Sequence, residues 1–317
     1  MRHFGSSLVL LAVGVGSLVG ASGCELQECE TEEGKSALCA KSLTRFVGEE
    51  ERQTLPYTAG TDLTVNGIYG EINLFAGTAG EVEVVFEPFN YRAHDAEDAA
   101  RDELENNFDR SFELSSGALV VTTGRHDATN GLGSNIDVYL PPEFDGAIVV
   151  RNDSDGPVNP GKIDVEFVGA AWSVDVSTDD LGDCNIDGSD SVVSTRAHCD
   201  GAITVTGVSD EVDIASTGLS GDVAVVMTAI ASAESGGSIM TEDGDIDLTF
   251  PADAEFSVQA QSTEDGRVSA ASLDEACIGD VAAESAKSYT CGAGGPNFVV
   301  TAGTDGVGPS SVSLELR

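Results

Sequence analysis

Short runs in which apolar and polar residues alternate recur along the chain from about residue 60 onward. Leu63-Thr64-Val65, Ile72-Asn73-Leu74 and Val82-Glu83-Val84 are the first, and Leu119-Val120-Val121 and Ile136-Asp137-Val138 follow. A period of two puts one side of each run on a core and the other in water, so each predicts a half-buried β-strand. One stretch departs from this pattern. Between about 91 and 110, Ala96, Ala100, Leu104 and Phe108 recur at every fourth position among good helix formers, which predicts a helix laying one stripe on the sheet. Asp95, Glu97 and Asp98 suit its N-terminus, and His94 beside them reads as part of a solvated face.

A second period overlies the first. Glycines 161, 182, 201, 221, 244 and 266 each stand two residues before an alternating run: Ile163-Asp164-Val165, Cys184-Asn185-Ile186, Ile203-Thr204-Val205, Val223-Ala224-Val225, Ile246-Asp247-Leu248 and Val268-Ser269-Ala270. The turn Thr-Glu-Asp-Gly occurs twice, at 241–244 and 263–266. A spacing near 20 residues with short strands and Gly/Asp turns is that of a solenoid, whose single coils cannot bury a core alone but stack at ~4.8 Å into continuous aliphatic ladders. A sandwich would instead space its strands by about 8–12 residues. The expected fold is all-β: a single-domain β-solenoid, parallel β-helix-like, with one short helix in its N-terminal part and the glycine-phased repeat from about 146. Val225 and Ile246 then point inward and Thr206 outward.

Ahead of the strands, a weakly basic start (Arg2, His3) leads into an apolar run to Gly20 and then Ala21-Ser22-Gly23-Cys24. The run is too short to span a membrane and has the flanks of a secretory leader. Small residues directly before a cysteine read as a lipobox, so cleavage before Cys24 and acylation of its thiol are expected; the alternative is an ordinary leader cut after Gly23. Glu25 is not the Asp associated with inner-membrane retention in many Gram-negative bacteria, which favours a lipid-anchored protein of the outer membrane. The expected organisation is 1–23 leader, 24–55 acidic tether and 56–317 solenoid domain.

Seven cysteines less Cys24 leave six, in three local pairs: Cys29 with Cys39, Cys184 with Cys199, Cys277 with Cys291. Outside the cytoplasm these read as disulfides of short loop closure; free thiols or a metal site are the alternatives, and about fifteen connectivities are open in principle. Zinc fits poorly, since no Cys-x-x-Cys pair occurs and only His198 lies near a cysteine.

The net charge of −40 repels phosphate backbones and anionic lipid surfaces, so nucleic acid is excluded as a partner and membrane contact falls to the lipid. A nucleophilic triad would draw on His94, His126 or His198, none in a nucleophile-elbow motif. Carboxylates for glycan cleavage could come from Asp243, Asp245 and Asp247, or from Asp265 beside Arg267, but basic partners are scarce. The cluster Gly292-Ala293-Gly294-Gly295-Pro296 follows a cysteine rather than a strand and reads as a loop. Calcium is the cofactor to consider: Asp179, Asp200, Asp222, Asp243 and Asp265 would recur on one edge of the solenoid and suit a hard cation, although no β-roll nonapeptide or EF-hand formula is present.

The segments 63–74 (LTVNGIYGEINL), 136–142 (IDVYLPP) and 244–251 (GDIDLTFP), in this order, resemble those of the bacterial putative-adhesin family of toast-rack domains across most of 56–317. The resemblance implies a single-domain β-solenoid, an envelope location and an adhesion role. The cysteine pairs and the acidic tether depart from that pattern. Two functions follow: a non-catalytic envelope lipoprotein presenting a scaffold to an envelope protein or glycan, or a carbohydrate-active enzyme on a β-helix.

Overall fold

The computed structural model describes residues 24–30, 36–93, 96–126, 131–153, 161–179, 182–218, 221–230, 236–304 and 308–317, with backbone alone at 24–30, 36–42, 189–193 and 209–210. The leader expected at 1–23 and His94 lie outside these residues. The chain begins with β1 (Cys24–Glu30), β2 (Ser36–Val47) and β3 (Glu51–Pro56). Next come β4 (Asp62–Ile68), β5 (Ile72–Ala76), β6 (Glu81–Ala93), α1 (Glu97–Asn106), β7 (Phe108–Ser115), β8 (Ala118–Arg125) and β9 (Leu132–Leu140). The repeat supplies β10 (Ala147–Asp153), β11 (Ile163–Val165), β12 (Ser173–Thr178), β13 (Cys184–Cys199), β14 (Ile203–Ser216), β15 (Val223–Met227), β16 (Gly236–Thr241) and β17 (Ile246–Phe250). β18 (Phe256–Gln261), β19 (Val268–Ser269), α2 (Ala271–Ala276), β20 (Ile278–Ala283), β21 (Ala286–Cys291), β22 (Asn297–Ala302) and β23 (Val312–Leu316) complete the order.

Parallel pairing arranges most of these strands as two walls. In the first wall Leu119, Leu63, Ile148, Val174, Thr195, Val212, Gly237, Phe298 and Val258 are partners in that order. In the second the row is Ile136, Ile72, Ile163, Cys184, Ile203, Val223, Ile246, Val312 and Val268. The long strands β13 and β14 serve both walls, and β13 changes register between 187 and 194 as it rounds the corner. Alternate residues on each strand are buried in one continuous core. Each fully buried aliphatic side chain contributes about 2 kcal/mol, and the β-solenoid expected from the sequence is what forms.

The glycine period has its cause at the corner leading from the first wall to the second. A Cβ on Gly182 would lie 2.3 Å from the Gly161 carbonyl oxygen, and one on Gly221 2.8 Å from that of Gly201. Each coil's glycine therefore seats its neighbour's carbonyl. The last residue of the first wall stands over this corner in the row Asn152, Thr178, Cys199, Ser216, Thr241. Buried hydroxyls there donate to glycine carbonyls: Thr178 to Gly182, Ser216 to Gly201 and Thr241 to Gly221, all at 2.9 Å. Cys199 occupies the same place and is joined instead to Cys184, with Cα atoms 6.3 Å apart.

Both ends are capped by antiparallel strands. β7 lies on β8 and β6 on β9, while residues 43–47 of β2 and all of β3 pair with β6. Glu103 of α1 receives hydrogen bonds from Asn90 (2.7 Å) and Arg92 (2.8 Å) of β6. At the other end β21 lies on β18 and β20 on β21. The Cys277–Cys291 disulfide, Cα atoms 4.5 Å apart, and a 2.6 Å hydrogen bond from the Tyr289 hydroxyl to Asp274 tie α2 to this hairpin.

Four differences from the sequence reading stand out. The helix is shorter than 91–110: residues 91–93 stay in β6 and Phe108 starts β7, where it is buried with Leu104 and Leu132. Residues 43–55, assigned to an acidic tether, form paired strands because their half-buried alternation lets them cover the outer edge of β6. A second helix, α2, buries Leu273 against the end of the core. Finally, β17 and β19 do not touch: β23 runs between them in the second wall, as β22 runs between β16 and β18 in the first. The hairpin β20–β21 occupies the outer edge of β18, so the following strands enter on its inner side.

Candidate functional site

The scarce basic residues of the first wall gather on its outward face. Arg151 forms a two-pronged hydrogen bond with Asp175 (2.9 and 2.7 Å) on the next rung. One rung further Arg196 reaches Asp213 at 3.1 Å, and His198, two positions along the same strand, reaches it at 3.4 Å. Ser238, Asp213's register partner, donates to it at 3.1 Å. Burial pushes the Asp213 carboxyl up, but the Ser238 hydrogen bond together with His198 and Arg196 outweighs it and holds the group below the usual carboxylate range.

Serine, aspartate and histidine thus meet here, though not in the order that activates a nucleophile. The Ser238 hydroxyl donates to the carboxylate, whereas a triad needs the imidazole between the two to take the proton. The three groups lie on a solvated sheet surface, with the His198 side chain 47% exposed. This cluster is geometrically a surface network.

Of the acids that the sequence offered for glycan cleavage or calcium, Asp200, Asp222 and Asp245 accept hydrogen bonds at the corners. Asp222 accepts a backbone hydrogen bond from Asp245, and Asp245 in turn accepts one from Ser311 (2.9 and 2.6 Å). Asp183, which the sequence reading passed over, accepts one from Ala202 at 2.8 Å, and Asp200 accepts from the Thr217 hydroxyl. Asp179, Asp200, Asp222, Asp243 and Asp265 do not converge: among the described residues no three of His, Cys, Asp or Glu form a group able to hold a metal. Calcium, magnesium and ionic-strength-matched sodium are accordingly expected to shift the melting temperature equally, by screening alone. A calcium shift several degrees above the magnesium one in a thermal melt would contradict this.

The thiols separate into two sets. Cys184–Cys199 and Cys277–Cys291 are bonded as the sequence suggested, and with Cys199 in a disulfide His198 has no thiolate beside it for zinc. The side chains of Cys24, Cys29 and Cys39 lie outside those described; their backbones belong to the antiparallel pair β1–β2, where Cys29 faces Ala37 and Cys39 faces Gln27.

The second wall carries an aromatic pair that sequence reading missed. Phe75 and Tyr139 are register partners whose ring centroids lie 5.5 Å apart at 35°. At the other corner a depression of about 530 Å³ is lined by Ile230, Pro251, Asp253, Glu255 and Pro296, with two carboxylates and no basic side chain.

The described residues thus form a parallel solenoid of two ladder-built walls, closed at each end by antiparallel caps. Residues 128–277 match the model of the family Toastrack DUF4097. Among solved structures, the chain is similar to a putative cell adhesion protein from Clostridium sporogenes (10% identity, 85% of this chain and 100% of that one, TM-score 0.33). It is also similar to a putative adhesin from Parabacteroides distasonis (7%, 84% and 97%, TM-score 0.31) and to one from Bacteroides fragilis (10%, 85% and 97%, TM-score 0.29). No match is found among curated proteins.

Proposed function

We propose that the protein is a non-catalytic lipoprotein of the cell envelope, anchored through acylated Cys24 in the outer membrane of a Gram-negative bacterium, which presents its solenoid as a rigid binding scaffold. The observation that carries the reading is the pairing of outward charges across neighbouring rungs, Arg151 with Asp175 and Arg196 with Asp213. These four groups are engaged with one another across the rungs, so none of them is poised for proton transfer. The Ala21-Ser22-Gly23-Cys24 sequence supports the anchor, and the strong acidity supports attachment by lipid rather than by a basic patch.

Replacing the acylated residue tests this directly. Cys24→Ala is expected to leave the protein unprocessed or to release it from the membrane fraction, whereas the parent chain takes up labelled fatty acid and sediments with membranes. Wild-type mobility and membrane recovery in the variant would rule the anchor out.

A further inference from the structure

The outward face of the second wall pairs an aromatic platform with a row of amides and carboxylates, and the two lie side by side on successive rungs. Phe75 and Tyr139 project from β5 and β9, half-buried and in register. Two residues earlier on the same strands stand Asn73 and Asp137, joined by a 2.8 Å hydrogen bond from the amide. From Asn73 the row continues to Asp164 of β11 and on to Asn185 of β13, each the register partner of the one before. Among the described residues no hydrogen bond engages the Asn185 side chain or the Tyr139 hydroxyl. Burial first, and the Asp137 charge after it, push the Tyr139 hydroxyl's pKa up, so it remains a donor.

From this juxtaposition we infer that the second wall binds an uncharged, extended hexopyranose chain laid along the solenoid axis. The inference rests on the reading of the protein as a presenting scaffold and names what that scaffold holds. Rings offset by 5.5 Å match the rung spacing of ~4.8 Å and are comparable with the length of one pyranose unit. Consecutive sugars can therefore set their apolar C–H faces on Tyr139 and then Phe75. Their equatorial hydroxyls then meet the Asp137–Asn73–Asp164–Asn185 row, whose mixture of donors and acceptors suits hydroxyl groups, each both donor and acceptor. Charge selects the class of glycan: Lys162 pairs with Asp164 at 2.8 Å, which leaves Asp137 as the row's uncompensated carboxylate, and with a net charge of −40 the surface repels uronate or sulfate polymers. A flat wall suits an extended chain, not a globular sugar that needs a pocket.

Calorimetric titration of the full-length protein in detergent with cellohexaose, with β-1,4-mannohexaose and with hexagalacturonate tests the inference. Binding of at least one neutral hexasaccharide is expected, and none of hexagalacturonate. Phe75→Leu and Tyr139→Leu keep the apolar cover but lose the ring face; each is expected to weaken binding about tenfold, ~1.4 kcal/mol, with circular dichroism and melting temperature unchanged. Asn185→Ala weakens it less, and Arg196→Gln on the other wall leaves it unchanged. No binding of either neutral probe, equal binding of the uronate, or full affinity in the Phe75/Tyr139 double Leu variant would overturn the inference. Membrane fractionation of the Cys24 variant is scored separately, so failure of the glycan site and failure of the anchor are told apart.

Discussion

Ile246→Asp is expected to unfold the turns on either side of it together, with a stability loss of about 4–5 kcal/mol. Ile246 is fully buried between Val223 and Val312 in the second wall's ladder, so the new carboxylate would have no water and no donor. Each turn touches only its neighbours, and a break in one removes the packing surface of the next. Amide hydrogen exchange should show lost protection at 223–227 and 312–316 while β4 and β10 keep theirs. The control is Thr204→Gln, exposed between Asn185 and Ala224, which should change stability by no more than ~0.5 kcal/mol. Thr206 serves less well, since its hydroxyl donates to Asp187. Equal urea midpoints for the two variants would overturn the inward and outward assignment.

Gly237→Ala is expected to cost about 3 kcal/mol, far above the usual effect of one methyl group. Gly237 stands in the first wall's ladder between Val212 and Phe298, with φ near +150° and a position for Cβ only 1.7 Å from the Val212 carbonyl oxygen. That oxygen is backbone and cannot step aside without breaking the rung. Gly60→Ala separates the two causes: φ is +77° there but nothing lies within 4 Å, so only the left-handed conformation is penalised, by ~1 kcal/mol. Chemical denaturation of both variants measures the difference, and equal losses would assign the whole effect to φ.

The middle of the solenoid was legible because its two periods coincide: alternation marks the strands and the glycines mark where each coil turns. Cys184, read as a strand start from Gly182 alone, takes its place in register between Ile163 and Ile203. The ends were not legible. Nothing near Val312 marks it as a partner of Ile246, because parallel pairing leaves no local turn signal. The six residues of α2 are too few for a helical period to emerge, and Glu49-Glu50-Glu51 masked the alternation of β3. The surface sites were hidden for a related reason. Arg196, Asp213 and Ser238 become neighbours, as do Phe75 and Tyr139, only once every coil's register is known. Counting back from each glycine corner would have found the first group; the second lies before the glycine period begins.

The intercalation of β22 and β23 imposes an order on assembly. Central turns close over short stretches, as from Asp183 to Ala202, 19 residues apart. The junction of Asp245 with Ser311 spans 66 residues and that of Asp62 with Ala147 spans 85. The entropy of closing the longer loops exceeds that of the short ones by only ~1 kcal/mol, but the contacts behind them arrive late. While the chain is made from its N-terminus, β14 to β17 can stack as they emerge, whereas β16 and β17 keep open edges until β22 and β23 come through. Those strands act as a clasp: they seal the growing edge and seat the far cap in one event, so nascent chains lacking them present an unpaired strand.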